Sequence, residues 1–174
     1  MGFTASQIRQ DLNCFGGFGQ QGYGYNIEQL YNEIGEILGL SKKSKAILIG
    51  AGNLGHAIAT HLKFENRGFD LIGIFDSNPE LFGKKIGNNT VSPAESLEEF
   101  CKEYSPAVAF LCVPGEVAAG LSERLIALGI KGFWNFTQYD IARNHPEIAV
   151  ENVHLSDSLM TLCYQINNNN EGLE

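Results

Sequence analysis

Apolar positions follow two rhythms along this chain. From residue 45 onward, short unbroken apolar runs alternate with stretches in which apolar residues return every three or four positions. Unbroken runs bounded by turn residues read as strands buried on both faces, and the longer spacing reads as amphipathic helix. The runs lie at 46–49, 71–75, near 90–91, at 107–113, at 132–136 and near 149–153. Helical faces are expected around Leu54, Ile58 and Leu62, and from Pro93 to about Tyr104 with Leu97, Phe100 and Cys101 inward. A further helical face is expected along Val117, Leu121, Leu125 and Leu128, closed by Gly129. This alternation predicts an α/β fold over residues 46–153, a Rossmann-like parallel sheet with helices on both faces. A last helix is expected over 154–166, with Leu155 leading in and Leu159, Leu162, Cys163 and Ile166 on one stripe. The polar residues 167–174 are expected to form a disordered tail.

Residues 1–40 have a different pattern. Thr4-Ala5-Ser6-Gln7 is a capping box, and Ile8, Leu12 and Phe15 give a short helical face that Gly16-Gly17 stops. The glycine- and aromatic-rich stretch from Phe18 to Tyr25 reads as a tight hairpin or wing. Asn26 then caps a second helix, with Ile27, Leu30, Tyr31, Ile34 and Leu38 on one side and Gly39 as its stop. Two short helices and a hairpin bury little core alone, so the segment is expected either to dock on the larger domain or to lack partner helices. Ser41-Lys42-Lys43-Ser44-Lys45 is the polar linker between the two parts.

Composition narrows the choices. The chain has 174 residues, 44% hydrophobic and 18% charged, as an ordinary folded protein does. No apolar run approaches the roughly eighteen residues needed to span a bilayer, and Met1-Gly2-Phe3-Thr4 lacks the basic and apolar regions of a signal peptide. A cytoplasmic location is expected, without a membrane partner. The net charge of −8 argues against generic affinity for nucleic acid but leaves room for a small DNA-binding unit on an acidic body. Cys14, Cys101, Cys112 and Cys163 form no C-x-x-C pair, and the four histidines form no metal pattern, so no metal is expected. Cys112, inside an apolar run, reads as a small buried hydrophobe.

The chemistry concentrates in Gly50-Ala51-Gly52-Asn53-Leu54-Gly55, which lies between a predicted strand and a predicted helix. This is the G-x-G-x-x-G arrangement in which Gly50 permits a tight turn, Gly52 admits phosphates to the backbone and Gly55 lets helix and strand approach. The same glycines would also serve a plain turn. Asp76 ends the next apolar run, where a carboxylate accepts hydrogen bonds from the adenosine ribose and repels a 2′-phosphate; NAD(H) is therefore expected over NADP(H). Asp76 would alternatively cap the segment beginning at Asn78-Pro79. Val113-Pro114 and Asn135 end later strands and are candidates for the nicotinamide side, with a structural turn the other reading of Val113-Pro114. A dehydrogenase also needs a substrate domain and a proton donor. Tyr139, His145 and His154 are the only late candidates, in no arrangement that shows an orienting partner, so ligand sensing is expected rather than catalysis.

Several blocks occur in a characteristic order. They are Thr4-Ala5-Ser6-Gln7-Ile8-Arg9-Gln10-Asp11-Leu12 with Phe15-Gly16, then Gly22-Tyr23-Gly24-Tyr25, then the glycine loop and Phe75-Asp76. Val113-Pro114, Gly129-Ile130-Lys131-Gly132 and Asn135-Phe136 complete the set. In these blocks, from its first residues to about Ile166, the chain resembles Rex, the redox-sensing transcriptional repressor family of bacteria. The resemblance implies a winged helix that contacts operator DNA through Thr4, Ser6, Gln7, Arg9, Gln10, Gln21 and Gly22. It implies a Rossmann domain that senses NADH against NAD, a homodimer whose C-terminal helix is exchanged between subunits, and release of DNA when NADH binds. Such proteins usually begin some way upstream, so residues 1–40 are expected to be a partial winged helix. Gln10 and Gln21 stand where that family is usually basic, and His154 where it typically has Asp, thought to couple cofactor state to the winged helix. Up to Lys45 there are one Arg and three Lys against one Asp and three Glu, so the segment carries no net positive charge. The alternative function is a CoA- or NAD-binding module, or a small oxidoreductase, on the same fold without DNA binding.

Overall fold

The computed structural model describes residues 4–13, 19–20 and 24–171. They divide into two compact units, Met1–Lys43 with Glu65–Phe69, and Ser44–Phe64 with Asp70–Glu174.

In the first unit, α1 (Ala5–Asn13) starts with the capping box that the sequence predicts. Thr4 Oγ1 accepts from the Gln7 N–H at 3.3 Å, while Gln7 Oε1 accepts from the Thr4 N–H at 3.0 Å. Strands β1 (Gly19–Gln20) and β2 (Gly24–Tyr25) pair antiparallel, Gly19 opposite Tyr25. Helix α2 (Ile27–Ile37) is capped by Asn26, whose Oδ1 accepts from the Gln29 N–H at 3.0 Å. It stops at Gly39, which takes the left-handed conformation (φ +69°) that ends many helices. On the apolar face of α2, Ile27 is 80% exposed and Tyr31 76%.

The second unit is the α/β fold. Its strands are β3 (Ser44–Ile49), β4 (Phe69–Asp76), β5 (Lys85–Ile86), β6 (Asn89–Pro93), β7 (Val108–Leu111), β8 (Gly132–Asn135) and β9 (Ala149–Asn152). They form one sheet in the order β5-β6-β4-β3-β7-β8-β9. The chain runs outward from β3 on one side, returns to β7, and runs outward again on the other, so the order reverses between β3 and β7. The pairs β3/β7, β4/β6, β7/β8 and β8/β9 are parallel. The pair β5/β6 is antiparallel, a hairpin turning at Gly87-Asn88 that periodicity alone passes over because its first strand is two residues long.

Helix α3 (Asn53–His61) follows β3, α4 (Leu97–Tyr104) precedes β7, α5 (Gly115–Ala127) links β7 to β8, and α6 (Ile141–Asn144) precedes β9. Ile47, Ile49, Phe75, Ala109, Leu111 and Phe133 form a continuous core with Leu97 and Cys101 of α4, Leu125 of α5 and Ile141 of α6. Across the sheet, Phe64 stacks on Phe110 at 5.0 Å, and Phe110 meets Trp134 edge-on at 5.3 Å. The inward face of α5 is the expected one at Leu121, Leu125 and Leu128, which pack on the core, but not at Val117, which is 52% exposed. Ala118 and Ser122 are buried instead, because small residues let the helix lie close to the sheet.

The last helix, α7 (Leu155–Glu171), runs past Ile166 through the asparagine run that was expected to be disordered. Asparagine is a poor helix former but not a breaker, and no glycine or proline intervenes before Gly172. Its stripe does not pack on its own sheet: Leu155, Leu159, Leu162 and Ile166 are all more than half exposed.

Candidate functional site

The glycine loop joins β3 to α3 at the carboxyl end of the sheet, beside the reversal of strand order. Ligands of open α/β sheets bind at this place. Gly50 has φ +98°, and its N–H donates to the Phe75 carbonyl at 2.8 Å. A Cβ there would run into the backbone carbonyl of Cys112, just beyond β7, while Val113 stands against the same point. At Gly55 a Cβ would overlap the Gly50 carbonyl, so the first turn of α3 rests on the loop itself. Gly52 is different. It is exposed, it caps α3 without a side-chain hydrogen bond, and a Cβ there would meet no atom within 4 Å. Two glycines thus fold the turn, and the third leaves open space over the uncapped amide end of a helix. That is the geometry of an anion cradle.

Asp76, at the end of β4, is half-buried. Its Oδ2 accepts from the Ala51 N–H at 2.6 Å and its Oδ1 from the Asn78 N–H at 2.8 Å. The carboxylate therefore braces the glycine loop, and each oxygen keeps a second acceptor site for a ribose hydroxyl. The 3₁₀ turn Pro79–Leu81 is capped by Asn78, whose Oδ1 accepts from the Glu80 N–H at 3.0 Å. Asn53 and Leu54 open α3 with their side chains exposed, and Pro114, also exposed, precedes α5 without a side-chain cap.

Asn135 sits at the end of β8 and is completely buried. Its Nδ2 donates to the Tyr139 carbonyl and to Asn152 Oδ1, both at 2.8 Å. Its Oδ1 accepts from the Thr137 N–H at 3.0 Å and the Thr137 hydroxyl at 2.7 Å. All four hydrogen-bonding positions of the amide are taken inside the protein. These bonds give the side chain a bracing role: Asn135 ties the end of β8 to the end of β9.

Past these strand ends lies a cleft of about 200 Å³, lined by Leu54, Phe136, Gln138, Val153, His154, Leu155 and Ser156. It connects the first turn of α3 with the segments that follow β8 and β9. Gln138, Val153 and Ser156 are not candidates from residue type. Their only signal in the sequence is a position just beyond a strand end. His154 Nδ1 lies 3.2 Å from Asp157 Oδ2. The other late candidates for proton transfer are engaged elsewhere. The Tyr139 hydroxyl accepts from Asn144 Nδ2 at 2.8 Å. His145 precedes β9, at the amino end of the parallel sheet, and is held by Glu123 at 2.7 Å and Glu147 at 3.2 Å. Burial pushes the Cys112 thiol up to about 12, so beside the loop it is a neutral thiol and not a thiolate. No His/Cys/Asp/Glu group that could hold a metal occurs among the described residues.

Residues 41–139 match the family model described as CoA binding domain. Among known proteins, the chain is 54% identical over 167 residues to the redox-sensing transcriptional repressor Rex of Caldanaerobacter subterraneus, covering 96% of this chain and 74% of that one. It is 53% identical over 169 residues to the Rex repressor of Clostridium perfringens, covering 97% and 79%. The chain belongs to the Rex family of redox-sensing transcriptional repressors. Among solved structures, it resembles the Rex-family repressor RSP in complex with beta-NAD+ and operator DNA, at a TM-score of 0.87 and 52% identity over 98% of this chain and 78% of that one. The same repressor in complex with beta-NADH gives a TM-score of 0.84 at 47% identity, covering 99% and 81%. These relatives are repressors and not enzymes.

The Rex resemblance puts operator contacts on α1 and the wing. Thr4, Ser6, Gln7 and Gln10 are exposed on or beside α1, with Thr4 Oγ1 and Gln7 Oε1 already engaged in the capping box. Arg9 lies on α1, and its side chain is outside the described residues, as are Gln21 and Gly22.

Proposed function

We propose that this Rex-family chain is an NADH/NAD-sensing repressor that binds operator DNA and releases it when NADH binds. The observation that carries the reading is the glycine loop. Its open face at Gly52, over the uncapped start of α3, is where the amides of residues 50–55 would receive the pyrophosphate. Asp76 would accept the adenosine ribose hydroxyls while bracing Ala51, and would repel a 2′-phosphate. Val113 and Pro114 would flank the nicotinamide half, and Asn135 would hold the strand ends that shape its cleft. The nucleotide undergoes no reaction here; it supplies a ring that is cationic when oxidised and neutral when reduced. The ligands of the solved Rex relatives support both halves of the reading.

For the operator, the reading assigns Thr4, Ser6, Gln7, Arg9 and Gln10 of the first helix with Gln21 and Gly22 of the wing. Residues 1–40 form the DNA-binding segment, 46–153 the NAD(H)-binding domain, and the helix from 154 the dimer contact. The exposed stripe of α7 supports a homodimer in which that helix lies on a second copy. The absence of a helix long and apolar enough to cross a membrane among the described residues is compatible with action in the cytoplasm.

Fluorescence anisotropy of a labelled palindromic operator tests the reading. Binding of the duplex, its release by NADH, and its retention with NAD+ are expected. Loss of binding as salt rises should be shallow, because the segment presents few cations. Release by CoA and not by NADH would overturn the cofactor assignment.

A further inference from the structure

Strands β8 and β9 stay paired up to Asn135 and Asn152, which lie opposite one another at the end of the parallel register. Beyond this pair the two segments part and line the cleft, Phe136 and Gln138 on one wall, Val153, His154, Leu155 and Ser156 on the other. One main-chain bond and one side-chain bond hold the point of divergence. The Val153 N–H donates to the Asn135 carbonyl at 2.8 Å, and Asn135 Nδ2 donates to Asn152 Oδ1 at 2.8 Å. The other three bonds of the Asn135 amide go to Thr137 and Tyr139 in its own segment, so they pin the first wall. The Thr137 hydroxyl in turn accepts from the Tyr139 N–H at 3.2 Å, which closes that turn. The Asn152 carboxamide carries the side-chain network across to the second wall.

The two asparagines differ in exposure. Asn135 is completely buried, whereas Asn152 is open to solvent. Water is a ready substitute partner for an exposed amide, so this bond adds little to the stability of the fold. What it fixes is geometry. We propose that Asn152 is a positioning residue for the nicotinamide half of the nucleotide. It does not touch the ligand; it acts through Asn135, holding the two walls at one spacing before the ligand arrives. The inference rests on the reading that the nicotinamide half occupies this cleft. Walls already in place need less ordering on binding than walls that the ligand must bring together. The adenosine half is assigned to the glycine loop and Asp76, whose hydrogen bonds are separate from this network. The effect of Asn152 therefore falls on the ring and not on the rest of the nucleotide.

The test is calorimetric titration of NADH, and of ADP-ribose, which lacks the ring, into the intact wild-type chain, Asn152→Ala and Asn152→Asp. Asn152→Ala should weaken NADH about three- to tenfold, the equivalent of one neutral hydrogen bond, and leave ADP-ribose unchanged. Asn152→Asp keeps an acceptor oxygen at the same reach and should bind NADH as the wild type does. Both variants should melt close to the wild type. Wild-type NADH affinity in Asn152→Ala overturns the inference, and so does Asn152→Asp as weak as Asn152→Ala. An equal loss for both ligands, or an Asn152→Ala variant too unstable to titrate, also overturns it, because the bond then serves the fold as a whole. Failure of NADH to bind the wild type overturns the underlying reading as well.

Discussion

The Asp76 carboxylate holds the Ala51 and Asn78 amides, and the proposed function gives the same oxygens a second task as acceptors for a ribose. Asp76→Ala should weaken NADH binding by about tenfold to a hundredfold, since hydrogen bonds to a charged acceptor are worth about 1.5–3 kcal/mol each. Calorimetry reads this directly, and unchanged affinity would remove Asp76 from the site. Asn135 is an opposite case. Residue type and position made it a candidate for ligand contact, but the four internal hydrogen bonds that occupy its amide depend on Thr137, Tyr139 and Asn152, which no spacing rule connects. Asn135→Leu leaves those partners unsatisfied in a buried place and should lower unfolding free energy by about 2–3 kcal/mol in urea titrations. The glycines were more legible, because their tasks follow from backbone geometry alone. Gly50 and Gly55 have no room for a Cβ, and Gly52 has room that the protein does not use.

At the scale of elements, the parallel strands were readable because burial on both faces leaves unbroken apolar runs, and α5 was less so. Apolar periodicity nominated Val117, while close approach to the sheet selects the small residues Ala118 and Ser122. Helix α7 shows an amphipathic stripe whose leucines are more than half exposed, and sequence pattern alone could not say which surface covers it. Leu159→Glu together with Leu162→Glu should shift the protein from dimer to monomer in light scattering, with little change in the thermal unfolding of the sheet. A monomeric wild type would contradict the assigned role of α7. His145 ties α5 to the segment before β9. The hydrogen bond with Glu123 raises its proton affinity above the ordinary imidazole value, burial opposes this, and Glu147 adds to it. A raised folded value means stability that is fully present below the ordinary imidazole range and lost as pH rises through the folded value. Glu147 is held below its usual range, first by its own backbone N–H and less by His145, so its share is present at neutral pH and lost only in acid. His145→Gln should therefore lower the urea midpoint more at about pH 6 than at about pH 9.

For the whole molecule, the order of strands and the place where that order reverses explain why a nucleotide loop, a bracing carboxylate and a cleft meet at one edge. Local pattern predicted each strand of the sheet except the two-residue β5. The cleft itself depends on which strand ends become neighbours, so Gln138, Val153 and Ser156 had no signal of their own. The central claim is that the open face of the glycine loop receives a dinucleotide whose redox state is read. Gly52→Ala adds one methyl group where the protein has no atom within 4 Å, so it leaves the fold intact apart from the cap preference of glycine over alanine, about 1 kcal/mol at most. Calorimetric titration of NADH into the wild type and this variant is the most direct test. Binding to the wild type, and binding at least about tenfold weaker to the variant with its melting temperature nearly unchanged, is the expected result, because the methyl group stands between the α3 amides and the pyrophosphate. Equal affinity in the two proteins, or no NADH binding by the wild type, would contradict it.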